Sequence, residues 1–255
     1  MKKLYEKNEM SFAILMIVIY VAGTVLAENV TALIGINKLV PAIFHMVLSA
    51  ALLWWIVGNG LAEKYGLTKP NYPMHKVWYF VPLAIVACFG LLGGIEFRYN
   101  GAETLLFVIS MVCVGFLEEM IFRGLLFLGM AKSNLREAVM VSSVTFGMGH
   151  IVNLLNGAPL FGTIMQIIFA TAVGFTLVLL FYEGGSLLPC IAFHSLNNSL
   201  SVVQKTNAEA ARMLSVSETG FEIACVSFFV ALLAMYCIFC LKKLGQRSRA
   251  FSAQN

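Results

Sequence analysis

The chain has 255 residues, of which 60% are hydrophobic and 12% charged, and its mean hydropathy is +0.85, whereas an ordinary soluble domain is about 45–50% apolar. These values exclude a soluble globular protein and predict an all-α, polytopic transmembrane helical bundle. The formal net charge of +4 sits in loops and tails without a basic, aromatic-interleaved patch, so it bears on membrane topology and not on nucleic acid.

A helix that crosses about 30 Å of hydrocarbon needs about 20 residues at 1.5 Å each. Eight stretches qualify, in chain order Met10 to Ala27, Lys38 to Gly58, Val77 to Ile95, Thr104 to Met130, Glu137 to Leu155, Leu160 to Tyr182, Ser186 to Val203 and Phe221 to Leu241. The seventh is the shortest and most polar, carrying His194, Asn197 and Asn198, so it must face protein or water. The six cysteines, Cys88, Cys113, Cys190, Cys225, Cys237 and Cys240, all fall in apolar runs without a CxxC pair. They read as small, reduced residues rather than a metal or disulfide framework.

Basic residues sort the loops into two sets. Lys2, Lys3 and Lys7 precede the first span, Lys64, Lys69 and Lys76 lie before the third, Lys132 and Arg136 before the fifth, and Lys242, Lys243, Arg247 and Arg249 follow the last. The opposite loops are poorer in Lys and Arg, so both termini are expected in the cytoplasm, which requires an even number of spans. Met1 to Ala27 loosely imitates a cleavable signal peptide, but Glu6 and Glu9 argue for its retention as a transmembrane helix. No linker, low-complexity tract or internal repeat divides the chain, and residues 1–255 are expected to form a single membrane domain.

Six ionisable or amide side chains interrupt the apolar runs: Glu118, Glu119, Arg123, His150, His194 and Asn198. A charged group at the bilayer centre costs about 2.5–3.5 kcal/mol on insertion scales, so such groups mark function by default. Glu119 and Arg123 stand at i and i+4 and can neutralise each other on one helix face. Glu118 points about 100° away, which leaves it to act on water. His194 and Asn198 are also at i and i+4. Measured from the cytosolic side, Glu118 lies about 18 Å deep, His150 about 20 Å, and His194 and Asn198 about 12 and 18 Å. One shared polar cavity is therefore expected.

A carboxylate beside an imidazole can take a proton from water and pass it to a leaving amine, the acid-base work of amide hydrolysis. A second His and an Asn can donate hydrogen bonds to the developing oxyanion. Glu118, His150 and His194 also make an acceptable zinc set with an open position. The residue types leave both mechanisms open.

Glu118-Glu119-x-x-x-Arg123, Phe146-x-x-x-His150 and His194-x-x-x-Asn198 resemble, in order and in placement on the spans, the three motifs of the CAAX-processing and bacteriocin-processing (CPBP, or Abi) intramembrane proteases. The archetype of that family is the type II CAAX prenyl endopeptidase. The resemblance covers about Leu106 to Val203, so residues 106–203 are the expected catalytic core; the flanking spans are matched by hydropathy alone. It implies an intramembrane endopeptidase, a hydrolase acting on a membrane-associated or prenylated protein or peptide. Glu118 would activate water with His150, His194 and Asn198 would form the oxyanion hole, and Glu119 and Arg123 would support the site. A glutamate-activated water without cofactor is expected, with a zinc-dependent metalloprotease on Glu118, His150 and His194 as the alternative. The implied partners are the lipid bilayer and the membrane-associated substrate, and the implied location is the plasma membrane of a prokaryote.

Two rivals use the same residues. A proton-coupled transporter would employ the carboxylates and histidines as a relay, but paired broken helices of an inverted repeat are missing. A bacteriocin self-immunity or scaffold protein would keep the fold without proteolysis. Beside these readings, Arg123 is expected to be structural, Phe146 to pack beside His150, and Asn153, Asn156 and Asn197 to join or cap helices. Gly147 and Gly149 are expected to permit close helix packing, and His45 and His75 receive no role.

Overall fold

The computed structural model describes residues 2–70 and 80–252, residues 243–252 as backbone only. His75, Lys76 and the expected start of the third span at Val77 lie outside the described residues. The chain is an all-helical, polytopic bundle, as its composition requires.

A short α1 (Lys2–Lys7) leads into α2 (Glu9–Ile34), whose N-cap Asn8 accepts from Ser11 N and whose C-cap Gly35 takes φ +79°. After α3 (Leu39–Gly58) and α4 (Val81–Phe89), which tightens into a 3₁₀ turn at Gly90–Gly93, the chain reaches α5 (Gly101–Glu118), capped by Asn100. Here α5 runs without a break into a π-helical stretch, Glu119–Phe127, and then α6 (Leu128–Ala131). Next come α7 (Leu135–Met148) with a 3₁₀ continuation at Gly149–Asn156, α8 (Leu160–Gly184) and α9 (Leu188–Leu200). The short α10 (Asn207–Met213), opened by a Thr206–Glu209 capping box, precedes α11 (Glu218–Ser252).

Among the described residues six helical units are long and apolar enough to cross a membrane: α2, α3, Gly101–Ala131, Leu135–Asn156, α8 and Glu218–Lys242. The described part of the third expected span is a short apolar helix, Val81–Gly93, and the seventh is the 13-residue α9, which at 1.5 Å per residue reaches only about 20 Å. Hydropathy averages over a window and does not register the breaks. Gly94 at φ +106° ends the first, and tight turns through Ser201, Val202 and Val203 end the second. Short helices are tolerated in a membrane where protein, rather than lipid, satisfies their ends; the C-terminal ends of these two are tied to each other, and the start of α9 is tied as well. Ile95 and Gln204 form an antiparallel bridge, with Glu96 N donating to Val203 O at 2.8 Å. At the opposite end Leu187 N donates to Gly66 O at 2.8 Å and Ser186 Oγ to Thr68 O at 2.6 Å.

The sorting of loops by charge has a structural counterpart. Glu9 pairs with Lys64 and Lys132, each at 2.8 Å, which gathers the start of α2, the segment after α3 and the loop after α6 at one end of the bundle. At the other end Glu103 accepts from Asn37 N at 3.0 Å and Asn37 Nδ2 at 2.7 Å.

Lipid is as apolar as leucine, so helices in a membrane associate through close packing rather than through water exclusion. The crossing of α5 and α9 shows this most clearly. A Cβ on Gly115 would lie 2.7 Å from Ser195 N and 2.9 Å from Ser195 Cα, so the two backbones touch one turn before Glu118 and beside His194. At α7 and α8 a Cβ on Gly147 would come within 2.9 Å of Ile167 O. Gly147 therefore permits close packing as expected, whereas Gly149 has open space around it.

These distances make a paired prediction. Gly115→Ala is expected to destabilise the purified protein by about 1–3 kcal/mol, because overpacking a tight contact forces backbone shifts. Gly149→Ala is expected to change stability by less than about 1 kcal/mol. Thermal denaturation in detergent checks both, and equal melting temperatures for the two variants would contradict the close-contact account of Gly115.

Candidate active site

Glu118 is the last residue of α5, and the π-helical stretch starts at Glu119. π-helical turns widen the i→i+4 ladder and recur at functional sites. All nine residues of this stretch, Glu119 to Phe127, are buried. Within it Arg123 Nη1 meets Glu119 Oε1 at 3.1 Å, with both side chains fully buried, and Arg123 Nη2 reaches Gly174 O at 3.4 Å. The guanidinium also lies 4.1 Å above the Phe146 ring, a desolvated cation–π contact of the favourable kind. The pairing expected from i,i+4 spacing is present.

Phe146 does more than pack beside His150. Its ring meets those of His150 at 5.7 Å, His194 at 5.6 Å and Phe122 at 5.5 Å, all edge-on. One aromatic ring thus contacts the arginine and both histidines of the motifs.

A cavity of about 910 Å³ runs between the helices, and Glu118, His150 and Asn198 lie on its wall. They come from α5, from the 3₁₀ continuation of α7 and from α9. His194, Glu119 and Arg123 sit behind that wall, buried. His194 stands between the two carboxylates, with Nδ1 at 2.8 Å from Glu119 Oε1 and Nε2 at 3.4 Å from Glu118 Oε2. In its protonated form His194 carries a proton on both nitrogens, and in that form it and Arg123 together balance Glu118 and Glu119 to zero net charge. For the buried Glu119 and Arg123, pairing avoids the penalty of an unpaired ion.

The histidine expected beside Glu118 is therefore not the one in contact with it. His150 Nδ1 faces Phe146 O at 3.3 Å, and among the described residues it forms no ion pair with Glu118. It shares only the cavity. Asn198 Oδ1 accepts from Asn197 Nδ2 at 3.3 Å. Of the amides expected to join helices, Asn153 does so, donating to Gln166 of α8 at 2.8 Å.

Sequence reasoning missed Tyr20 of α2, whose hydroxyl donates to Glu118 Oε1 at 2.5 Å. A lone tyrosine 98 residues away in an apolar span carries no local signal for this. His45, assigned no role, is buried and holds Thr24 Oγ1 at 3.0 Å and Ser110 Oγ at 2.9 Å.

Among the described residues no three His, Cys, Asp or Glu side chains form a group that could hold a metal ion. His194 is turned to two carboxylates and His150 to a backbone carbonyl, so Glu118, His150 and His194 do not fit a zinc site in this arrangement.

Residues 100–200 match the family model of the Rce1-like type II CAAX prenyl endopeptidases, the resemblance expected from the three motifs. No curated protein and no solved structure matches the chain. The matched segment contains all seven residues of the three motifs and supports a protease role in general for an integral membrane protein.

The buried ion pair generates a stability prediction. Removing one partner leaves an uncompensated charge and costs about 3–5 kcal/mol, so Arg123→Ala is expected to lower the melting temperature and the expression yield well below those of Glu118→Ala. Equal melting temperatures for Arg123→Ala, Glu118→Ala and wild type would contradict a supporting role for the pair.

Proposed function

We propose that the chain is an intramembrane endopeptidase that hydrolyses a peptide bond in a membrane-associated protein or peptide, prenylated substrates included, with Glu118 as the base that activates water. The observation that carries this reading is the convergence of Glu118, His150 and Asn198, from three helical segments, on one cavity inside a membrane bundle. The Rce1-like match over residues 100–200 supports it.

In this mechanism Glu118 takes a proton from a water in the cavity as the hydroxide attacks the scissile carbonyl carbon. The charge that develops on the carbonyl oxygen is met by the Asn198 amide and by His194 Nε2, whose 3.4 Å approach to Glu118 is loose enough to be exchanged for the oxyanion. As the C–N bond breaks, the proton taken up by Glu118 is relayed through cavity water and His150 to the leaving amine, which returns Glu118 to its carboxylate. Glu119 and Arg123 hold the charge balance behind the wall. The Lys-bearing loops, of which Lys64 and Lys132 meet at Glu9, support the reading of both termini as cytoplasmic.

Glu118→Ala and His150→Ala are each expected to abolish cleavage of a fluorogenic prenylated peptide in liposomes, with folding preserved by circular dichroism. Removal of either group forfeits about 10²–10⁴-fold in rate by acid-base catalysis alone. Near-wild-type turnover by either variant would overturn the water-activating pair.

The metal-free reading makes its own prediction. Purified protein is expected to carry far less than one zinc per chain and to keep its activity after prolonged chelation, since a three-ligand catalytic site is normally occupied when functional. Stoichiometric zinc whose removal abolishes cleavage, and whose return restores it, would overturn that mechanism.

A further inference from the structure

We infer that Tyr20 is a positioning residue that holds the Glu118 carboxylate by one oxygen and so directs the other to the water it activates; the inference rests on Glu118 being the base. Tyr20 Oη donates to Glu118 Oε1 at 2.5 Å, the distance of a charge-assisted O–H···O⁻ bond. Only 14% of the Glu118 side chain is exposed, Tyr20 is 7% exposed, and both line the cavity. The remaining oxygen, Oε2, faces His194 Nε2 at the looser 3.4 Å.

Tyr20 is itself held in place. Thr24 Oγ1 donates to Tyr20 O at 2.7 Å and bonds His45 Nε2 at 3.0 Å, and His45 Nδ1 meets Ser110 Oγ at 2.9 Å. The rings of Tyr20 and His45 lie 5.9 Å apart. Ser110 and Glu118 are on the same helix, about two turns apart. The contacts therefore close a circuit from α5 through α3 and α2 back to α5, and polar side chains inside a membrane bundle carry such a cost of burial that function or specific pairing accounts for them. The circuit fixes the height of α2 against α5, and with it the reach of the phenol.

The other polar groups around Glu118 do not duplicate this bond. His194 approaches from α9 on the Oε2 side, Glu119 and Arg123 lie behind the wall, and His150 and Asn198 line the same cavity. Without the phenol, the flexible Glu118 side chain keeps one loose partner. A general base misplaced by about 1 Å can lose about 100-fold in rate.

The test is kinetic. Tyr20→Phe keeps the ring and its packing and removes only the O–H; in liposomes with the fluorogenic prenylated peptide it is expected to lower kcat about 10- to 100-fold and leave KM within about twofold, the signature of a loss confined to the transition state. Replacement of Tyr20 by 3-fluorotyrosine, which restores the O–H, is expected to return most of the lost kcat. A purely structural role would instead move KM or the melting temperature and leave kcat in place. Glu118→Ala is measured alongside: if it is inactive while Tyr20→Phe is fully active, the positioning role is wrong and the base stands, whereas an active Glu118→Ala overturns the base and with it this inference. A thermal double-variant cycle of Tyr20→Phe and Glu118→Ala reads the bond without turnover. A double variant that loses less than the sum of the single losses supports the bond, and strictly additive losses overturn it.

Discussion

The arrangement of this molecule depends on a buried ion pair. Glu119 and Arg123 sit with no exposure at all in the π-helical stretch, where neither could remain ionised alone at acceptable cost. Their union dictates what surrounds them. Phe146 must present its face to the guanidinium, a carbonyl of α8 must come near enough to accept from it, and His194 must turn Nδ1 to the same carboxylate oxygen. Three further helical segments are thereby set around α5 before any substrate is considered.

Close packing makes that possible. Gly115 lets α9 lie against α5 with its backbone in contact, and Gly147 does the same between α7 and α8. In a lipid solvent these small-residue crossings are a principal source of helix association, so the same residues that hold the bundle together also set the distance between the carboxylates and the histidine. Stability and geometry of the site are thus a single problem here. The short α4 and α9 belong to it too: bound to each other at Ile95 and Gln204, they leave protein rather than lipid around the polar face of α9, where His194 and Asn198 reside.

The two acidic neighbours are separated in role by position. Glu119 faces inward, balanced by Arg123, while Glu118 reaches the cavity and is held from the side by Tyr20. The base proposed here has to be held in orientation inside a medium that solvates charge poorly. The imidazole of His194 and the phenol of Tyr20 supply that hold.

Much of this was legible in the residues themselves. Composition and run length determined a helical membrane bundle, because burial in hydrocarbon leaves a single chain few ways to satisfy its backbone. The i,i+4 spacing determined the Glu119–Arg123 pair, because helical periodicity is local, and depth along the spans put Glu118, His150, His194 and Asn198 in one layer, of which Glu118, His150 and Asn198 line the cavity. Other features were decided only by tertiary structure. That α9 is a short helix follows from turns and partners at its ends, that His194 rather than His150 touches Glu118 follows from how closely α9 approaches α5, and that Tyr20 completes the site follows from a contact across 98 residues. Spacing along one helix prescribes neighbours within a turn or so, whereas the approach of separate helices is set by small residues and buried charges acting together, and no local pattern encodes it.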